Sequence, residues 1–156
     1  MARSIPVVPI VALLAMAGCG RAKAPVSTLE SATFASALGV DLQSMTKAPS
    51  GVYRKDLTVG TGPAVADGKR VSIHYTGWLP NGKQFDVNGP DAEPFQFTIG
   101  AGEVVPGFDE AVRGMAVGGE RLVVIPPALG YGAAGAGNVI PPNSILVFKV
   151  ELVAAQ

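Results

Sequence analysis

Apolar and polar positions alternate through the middle of the chain: Val71, Ile73 and Tyr75 on one side, Ser72, His74 and Thr76 on the other. A period of two places the first set on one face of a strand and the second on the opposite face. Pro80-Asn81-Gly82 follows, a ring-fixed φ and then residues that tolerate positive φ, so the chain reverses and Lys83-Gln84-Phe85-Asp86 runs back. Phe85 and Asp86 are therefore expected beside Tyr75. Gly51 to Val59, closed by Gly60-Thr61-Gly62, reads as an opening strand, and Asp67-Gly68 turns the chain into the strand from Val71. After a polar loop from Val87 to Glu93, the stretch Pro94 to Ile99 sets Phe95, Phe97 and Ile99 on one face. Glu120 to Ile125 is a further strand, stopped by Pro126-Pro127. Ser144 to Val153 closes the sheet, with Leu146, Phe148, Val150 and Leu152 alternating against Lys149 and Glu151.

One segment changes period. From Glu103 to Met115 the apolar residues Phe108, Val112 and Met115 recur at the spacing of a helical face. Pro106 suits a first turn, Asp109 and Glu110 oppose the dipole there, and Arg113-Gly114 marks the end. Phe108 is then directed under the concave side of the sheet. The predicted fold is α+β: a curved antiparallel β-sheet wrapped around one short α-helix. Between the last two strands, Ala128 to Asn143 is too irregular for an element yet carries Tyr131, Val139 and Ile140, and irregular loops on rigid scaffolds commonly carry function.

Composition narrows the field. The 156 residues suffice for about one domain with its own core. Twenty Gly and thirteen Pro favour short strands and many turns over a helical bundle. Twelve basic side chains balance twelve acidic ones, with a sequence pI near 6.6, so no nucleic-acid footprint exists. One cysteine and one histidine allow neither an internal disulfide nor a metal-ligand cluster.

The cysteine has another meaning. Arg3 precedes an apolar run from Ile5 to Ala17, too short and Pro-broken for a span but suited to the h-region of a secretory signal. It ends Met16-Ala17-Gly18-Cys19, which resembles the bacterial lipobox, and that resemblance implies lipidation of Cys19 as the mature N-terminus. Ordinary signal cleavage beside an incidental cysteine is the alternative. The expected organisation is a signal peptide over 1–18, a flexible tether over 19–50 and a domain over 51–156, exported and held in the periplasm by a membrane lipid anchor. Within the tether, Phe34, Leu38, Val40, Leu42 and Met45 form a weak apolar pattern, open to a short helix or a docking motif and read as a loosely packed leader.

The chemistry is sparse. No Ser-His-Asp or Cys-His set, paired catalytic carboxylates or phosphate loop is present, and His74 falls on a polar strand face as a surface residue. Gly100 and Gly102 lack the rest of a dinucleotide fingerprint, so no cofactor is indicated. Rings and aliphatics remain, with Asp86 and phenolic hydroxyls as the polar groups; by spacing alone they read as ordinary core. Two motifs alter that reading. His74 to Asp86 (HYTGxLxxGKxFD) and Tyr131 to Phe148 (YGxxGxxxxIPPxxxLxF) resemble the signatures of the FKBP-type peptidyl-prolyl isomerases, and the resemblance covers Gly51 to Val153.

What it implies is a pocket of Tyr75, Phe95, Val104, Val105, Phe108, Ile140 and Phe148 around Tyr131, Asp86 and Phe85 as catalytic groups. It implies rotation of X-Pro bonds in proline-containing polypeptides, without metal or cofactor, and binding of macrolides such as rapamycin. An X-Pro bond rotates through a twisted amide that has lost resonance, against a barrier of about 18 to 20 kcal/mol. A pocket that binds this state better than the planar one catalyses without nucleophile or proton transfer. Tyr131 would donate to the substrate carbonyl, and Asp86 would orient Tyr75. Phe108 stands where the family commonly has Trp, Asp91 where it often has a base, and Ala136 where some members have His. A non-catalytic proline-recognising chaperone or binding module would use the same pocket.

Overall fold

The computed structural model of the protein describes residues 29–156. Its strands are β1 (Thr46–Lys47), β2 (Tyr53–Thr58), β3 (Arg70–Trp78), β4 (Gln84–Asn88), β5 (Phe95–Thr98), β6 (Glu120–Ile125) and β7 (Leu146–Ala155), with one α-helix, α1 (Pro106–Val112). They form one seven-stranded antiparallel sheet in the order β1-β2-β6-β7-β3-β4, not closed into a barrel; β5 also pairs with β3. The predicted architecture is the observed one. β3 pairs with three strands, because β7 lies along one side of it while β5 and β4 share the other. Ile73 pairs with Phe95, and Tyr75 pairs with Asn88.

Element ends move for local reasons. Val87 and Asn88 extend β4, so the polar loop starts at Gly89 rather than Val87. The helix is shorter than the stretch Glu103 to Met115. Val105 precedes a proline and takes an extended conformation (φ −58°, ψ 143°), because the α region is disfavoured there. At the other end Arg113 leaves the helix (ψ 132°) and Gly114 reaches φ 81°. Excluding 103–105 from the helix is what frees Val104 and Val105 to border the site.

Two buried groups fix α1. Gly100 N–H donates to both oxygens of the buried Asp109 carboxylate at 3.0 and 2.9 Å, anchoring the loop that carries Val104. The buried Arg121 guanidinium donates to the carbonyls of Ala111 at 2.8 Å and Arg113 at 3.2 Å and pairs with Asp56. A cation at the helix C-terminus satisfies carbonyls that have no partner within the helix.

Both faces of the sheet are covered. Inside, α1 buries Phe108 and Val112 against Ile73, Phe97, Val123 and Val150. Outside, a second apolar cluster joins Leu29 and Met45 to Tyr53, Leu122, Val124, Ile145 and Val147, with Phe34, Leu38, Val40, Leu42 and Trp78 around it. The described part of the expected tether is therefore corrected: residues 29–45 form a strap of 3₁₀ turns packed on the sheet rather than a loose leader. Burial of these side chains outweighs the entropy of an otherwise free segment. Its start is pinned where Tyr53 donates to Glu30 at 2.9 Å and Lys47 pairs with the same carboxylate, which holds Glu30 down to about 2. The expected signal peptide and Cys19 lie outside the described residues.

Candidate active site

The site opens between the concave face of the sheet, the loop before α1 and the long loop before β7. Its cavity of about 440 Å³ is lined by Tyr75, Phe85, Asp86, Phe95, Glu103, Val104, Val105, Phe108, Tyr131 and Phe148. That size and its apolar walls suit a small ring or a short peptide segment.

The floor is Phe108, only 5% exposed, because the first turn of α1 points it up into the sheet. Three rings meet it: Phe148 at 4.9 Å and Tyr75 at 5.7 Å edge-on, and Phe97 tilted at 6.0 Å. Such pairs hold one another in fixed orientations. Phe97 is fully buried beneath the site, whereas Phe95, two positions earlier and stacked at 6.0 Å, forms an exposed wall.

The opposite wall depends on a glycine. Gly77 pairs with both Phe148 on β7 and Asp86 on β4, and its bare Cα lets the Phe85 and Phe148 rings close over it at 5.4 Å. A Cβ there would lie 2.7 Å from each ring. The turn after β3 is tied by Leu79 N–H to Lys83 O at 2.8 Å and Gly82 N–H to Leu79 O at 2.9 Å, which returns Phe85 and Asp86 to this position.

Polar groups are few and arranged. Tyr75 donates its hydroxyl to Asp86 Oδ2 at 2.8 Å, while Asp86 Oδ1 accepts from Val87 N–H at 2.9 Å. Burial, then the hydrogen bond to Asp86, push the Tyr75 phenol well above its ordinary value, so it stays a donor. Tyr131 is 41% exposed at the rim. Its loop is held at the base by Asn143 N–H to Gly132 O at 2.8 Å.

Nine of the ten pocket and catalytic side chains expected from sequence converge on this cavity: Tyr75, Phe85, Asp86, Phe95, Val104, Val105, Phe108, Tyr131 and Phe148. Ile140 does not. It is 4% exposed and belongs to the core, because Gly135 at φ 62° and the Ala136–Ile140 bridge fold its segment inward. Glu103 was missed; read as a helical residue, it instead sits in the loop, its carboxylate accepting from Thr98 N–H at 3.4 Å. His74 lies outside the pocket lining, half-buried, its Nδ1 3.0 Å from Asn88 Oδ1.

A ring-lined cavity bordered by the carboxylates of Asp86 and Glu103 and the phenols of Tyr75 and Tyr131 has no metal set or phosphate cradle among the described residues. It can hold a ring and stabilise a conformation. Residues 62–153 match the sequence model of the family described as FKBP-type peptidyl-prolyl cis-trans isomerase. A Neisseria meningitidis serogroup B protein named FK506-binding protein is 47% identical over 102 residues, spanning 65% of this chain and 94% of the relative. FK506-binding protein 2 of Dictyostelium discoideum is 52% identical over 102 residues, 65% of this chain and 74% of the relative. The crystal structure of a peptidyl-prolyl cis-trans isomerase from Pseudomonas syringae pv. tomato superposes with a TM-score of 0.65 at 36% identity, over 72% of this chain and 81% of that one. With the matched residues spanning most of the sheet, α1 and the pocket, the chain belongs to the FKBP-type peptidyl-prolyl cis-trans isomerases.

Proposed function

We propose that the pocket over Phe108 is where this isomerase twists X-Pro bonds of exported polypeptides, and that a lipid on Cys19 holds it at the cell envelope. The observation that carries the site assignment is the Tyr75–Asp86 hydrogen bond at the edge of a cavity floored by Phe108. The proline ring rests on Phe108 between Tyr75, Phe95 and Val105. Water is displaced from the planar amide, which loses more solvation than the less dipolar twisted state, so the difference favours the transition state. The Asp86 carboxylate, oriented by Tyr75 and Val87, biases the field at the rotating bond. Tyr131 donates to the substrate carbonyl, fixing one side of the amide while the other turns. The same cavity accepts macrolides such as rapamycin.

Tyr131→Phe removes the donor but keeps the ring. A net hydrogen bond of about 0.5 to 1.5 kcal/mol corresponds to a roughly two- to twelvefold loss in kcat/KM. Asp86→Ala should lose at least as much, because it also releases the Tyr75 hydroxyl. Isomerisation of a short X-Pro peptide, read beside the thermal midpoint, checks both; unchanged rates in stable variants would make the carboxylate and phenol structural only.

The anchor rests on sequence: Arg3, the apolar run and Met16-Ala17-Gly18-Cys19 support export with lipidation. Intact mass of the membrane fraction should show a chain beginning at Cys19 with acyl groups, and Cys19→Ser should leave the membrane. A mature mass without acyl groups would sink the anchor and leave the pocket untouched.

A further inference from the structure

The strap over residues 29–45 precedes the residues that match the family, and it is seated behind the catalytic face. Trp78 and Val147, which pair across β3 and β7, face the strap in the outer cluster. Their immediate neighbours Gly77 and Phe148, which also pair, face the other way into the pocket wall. Strand alternation thus puts the strap and the pocket on opposite sides of one layer, a single residue apart. The strap also grips the turn directly. Ala35 N–H donates to Pro80 O at 2.7 Å, and a Cβ on Gly82 would lie 3.2 Å from the Ala35 methyl. That turn delivers Phe85 and Asp86. The strap also borders the end of the loop carrying Tyr131: Phe34 and Ala35 line a groove with Leu79, Pro80 and Ser144, the residue after that loop, and Phe34 packs in the same outer cluster as Ile145.

We infer that the strap is a buttress of the isomerase site, with Phe34 and Ala35 as positioning residues for Phe85, Asp86 and Phe148. A cover needed only to hide outer apolar surface would have to contact Tyr53, Leu122 and Val124; it would have no need to hydrogen-bond the turn. The strap does both. Because β3 and β7 are close-packed on both sides, a shift behind Trp78 is transmitted to Gly77 rather than absorbed. Loss of the strap's seat therefore loosens the Phe85–Asp86 wall and lowers turnover in a protein that is still folded. The inference rests on the isomerase reading, and an inactive parent would refute that reading first and separately.

The test uses the full chain and two independent perturbations. Ala35→Pro suits the φ of −62° already present, but it replaces the N–H with a ring carbon directed at Pro80 O, so this contact is broken and the strap is pushed from the turn. Phe34→Ala empties the strap's share of the groove, and Phe34→Leu is the conservative control. Trp78 is the sole tryptophan, so intrinsic emission reports the strap's seat. In both perturbed proteins emission should shift, and kcat/KM for a short X-Pro peptide should fall about three- to tenfold at a temperature where the fold persists. The loss should lie mainly in kcat, with Phe34→Leu close to the parent. Shifted emission with parental kcat/KM would make the strap a cover and nothing more. Unshifted emission in the folded variants would mean the strap does not bear on Trp78, which equally overturns the inference.

Discussion

Phe108→Ala is expected to abolish isomerisation and lower stability by about 3 to 5 kcal/mol, the range for truncating a buried phenylalanine. The upper part of that range applies, because the ring is 5% exposed and touches Tyr75, Phe97 and Phe148, so three aromatic contacts go with it. For a chain of this size that is a fall in thermal midpoint of roughly 10 to 20 °C. Phe108→Trp separates the two roles of the ring. Its added atoms can extend into the cavity above the floor instead of overpacking the core below, so it should fold and keep activity. With the larger surface common in the family, it should also bind macrolide more tightly than the parent. Macrolide affinity, peptide isomerisation and thermal midpoint, measured on all three proteins, decide the matter. A Phe108→Ala protein that isomerises normally would place the substrate elsewhere.

Gly77→Ala is the second large effect, and it needs no change in any group that touches substrate. The new methyl would lie 2.7 Å from Phe148 Cε1 and from Phe85 Cζ, closer than such contacts allow. Neither ring has a free retreat: Phe148 is wedged against Phe108, and Phe85 closes on Phe148 edge-on. Overpacking of this kind costs about 1 to 3 kcal/mol. Activity should suffer more than stability, by at least about tenfold, because the displaced rings are the wall beside Asp86. Gly89→Ala, where a Cβ meets nothing within 4 Å, is the matched control and should be neutral in both assays. Parental activity in Gly77→Ala would show that the wall is not needed in this geometry.

The strand–turn–strand unit was legible because alternation at Val71, Ile73 and Tyr75 and the Pro80-Asn81-Gly82 turn are local signals that tertiary packing reinforces. The outer layer was not. Residues 29–45 show no period because they follow 3₁₀ turns of three residues each, and neither the helical nor the strand template fits them. A signal existed elsewhere: Leu122, Val123, Val124 and Ile125 are apolar without alternation, as a strand buried on both faces requires. Arg121 falls in phase with Val123 and Ile125 on the inward face, a charged residue at a core position that foretold a buried partner. Its partners, the carbonyls ending α1, depend on long-range packing that no local pattern encodes. Asp109 read as a charge opposing the helix dipole; its bond to Gly100 exists because the loop closes nine residues back. The pocket side chains were recognisable chiefly through the family resemblance: Tyr75, Phe85, Asp86, Tyr131 and Phe148 lie within the two motifs, Phe95, Val104 and Val105 lie between them, and Phe108 was also placed by the helical period. The exception, Ile140, shows why: its apolar character suited pocket and core equally, and the turn at Gly135 decided for core.

The central claim is that one cavity, floored by Phe108 and bordered by Asp86 and Tyr131, performs the rotation. Cis–trans exchange of a short X-Pro peptide, followed by NMR without a coupled protease, tests it most directly when run with and without rapamycin. The parent should accelerate exchange catalytically, and one equivalent of bound macrolide per chain should suppress that acceleration. Exchange that stays accelerated when the pocket is saturated with macrolide would contradict the claim, as would a parent that suppresses aggregation of a client yet leaves the peptide exchanging at its uncatalysed rate.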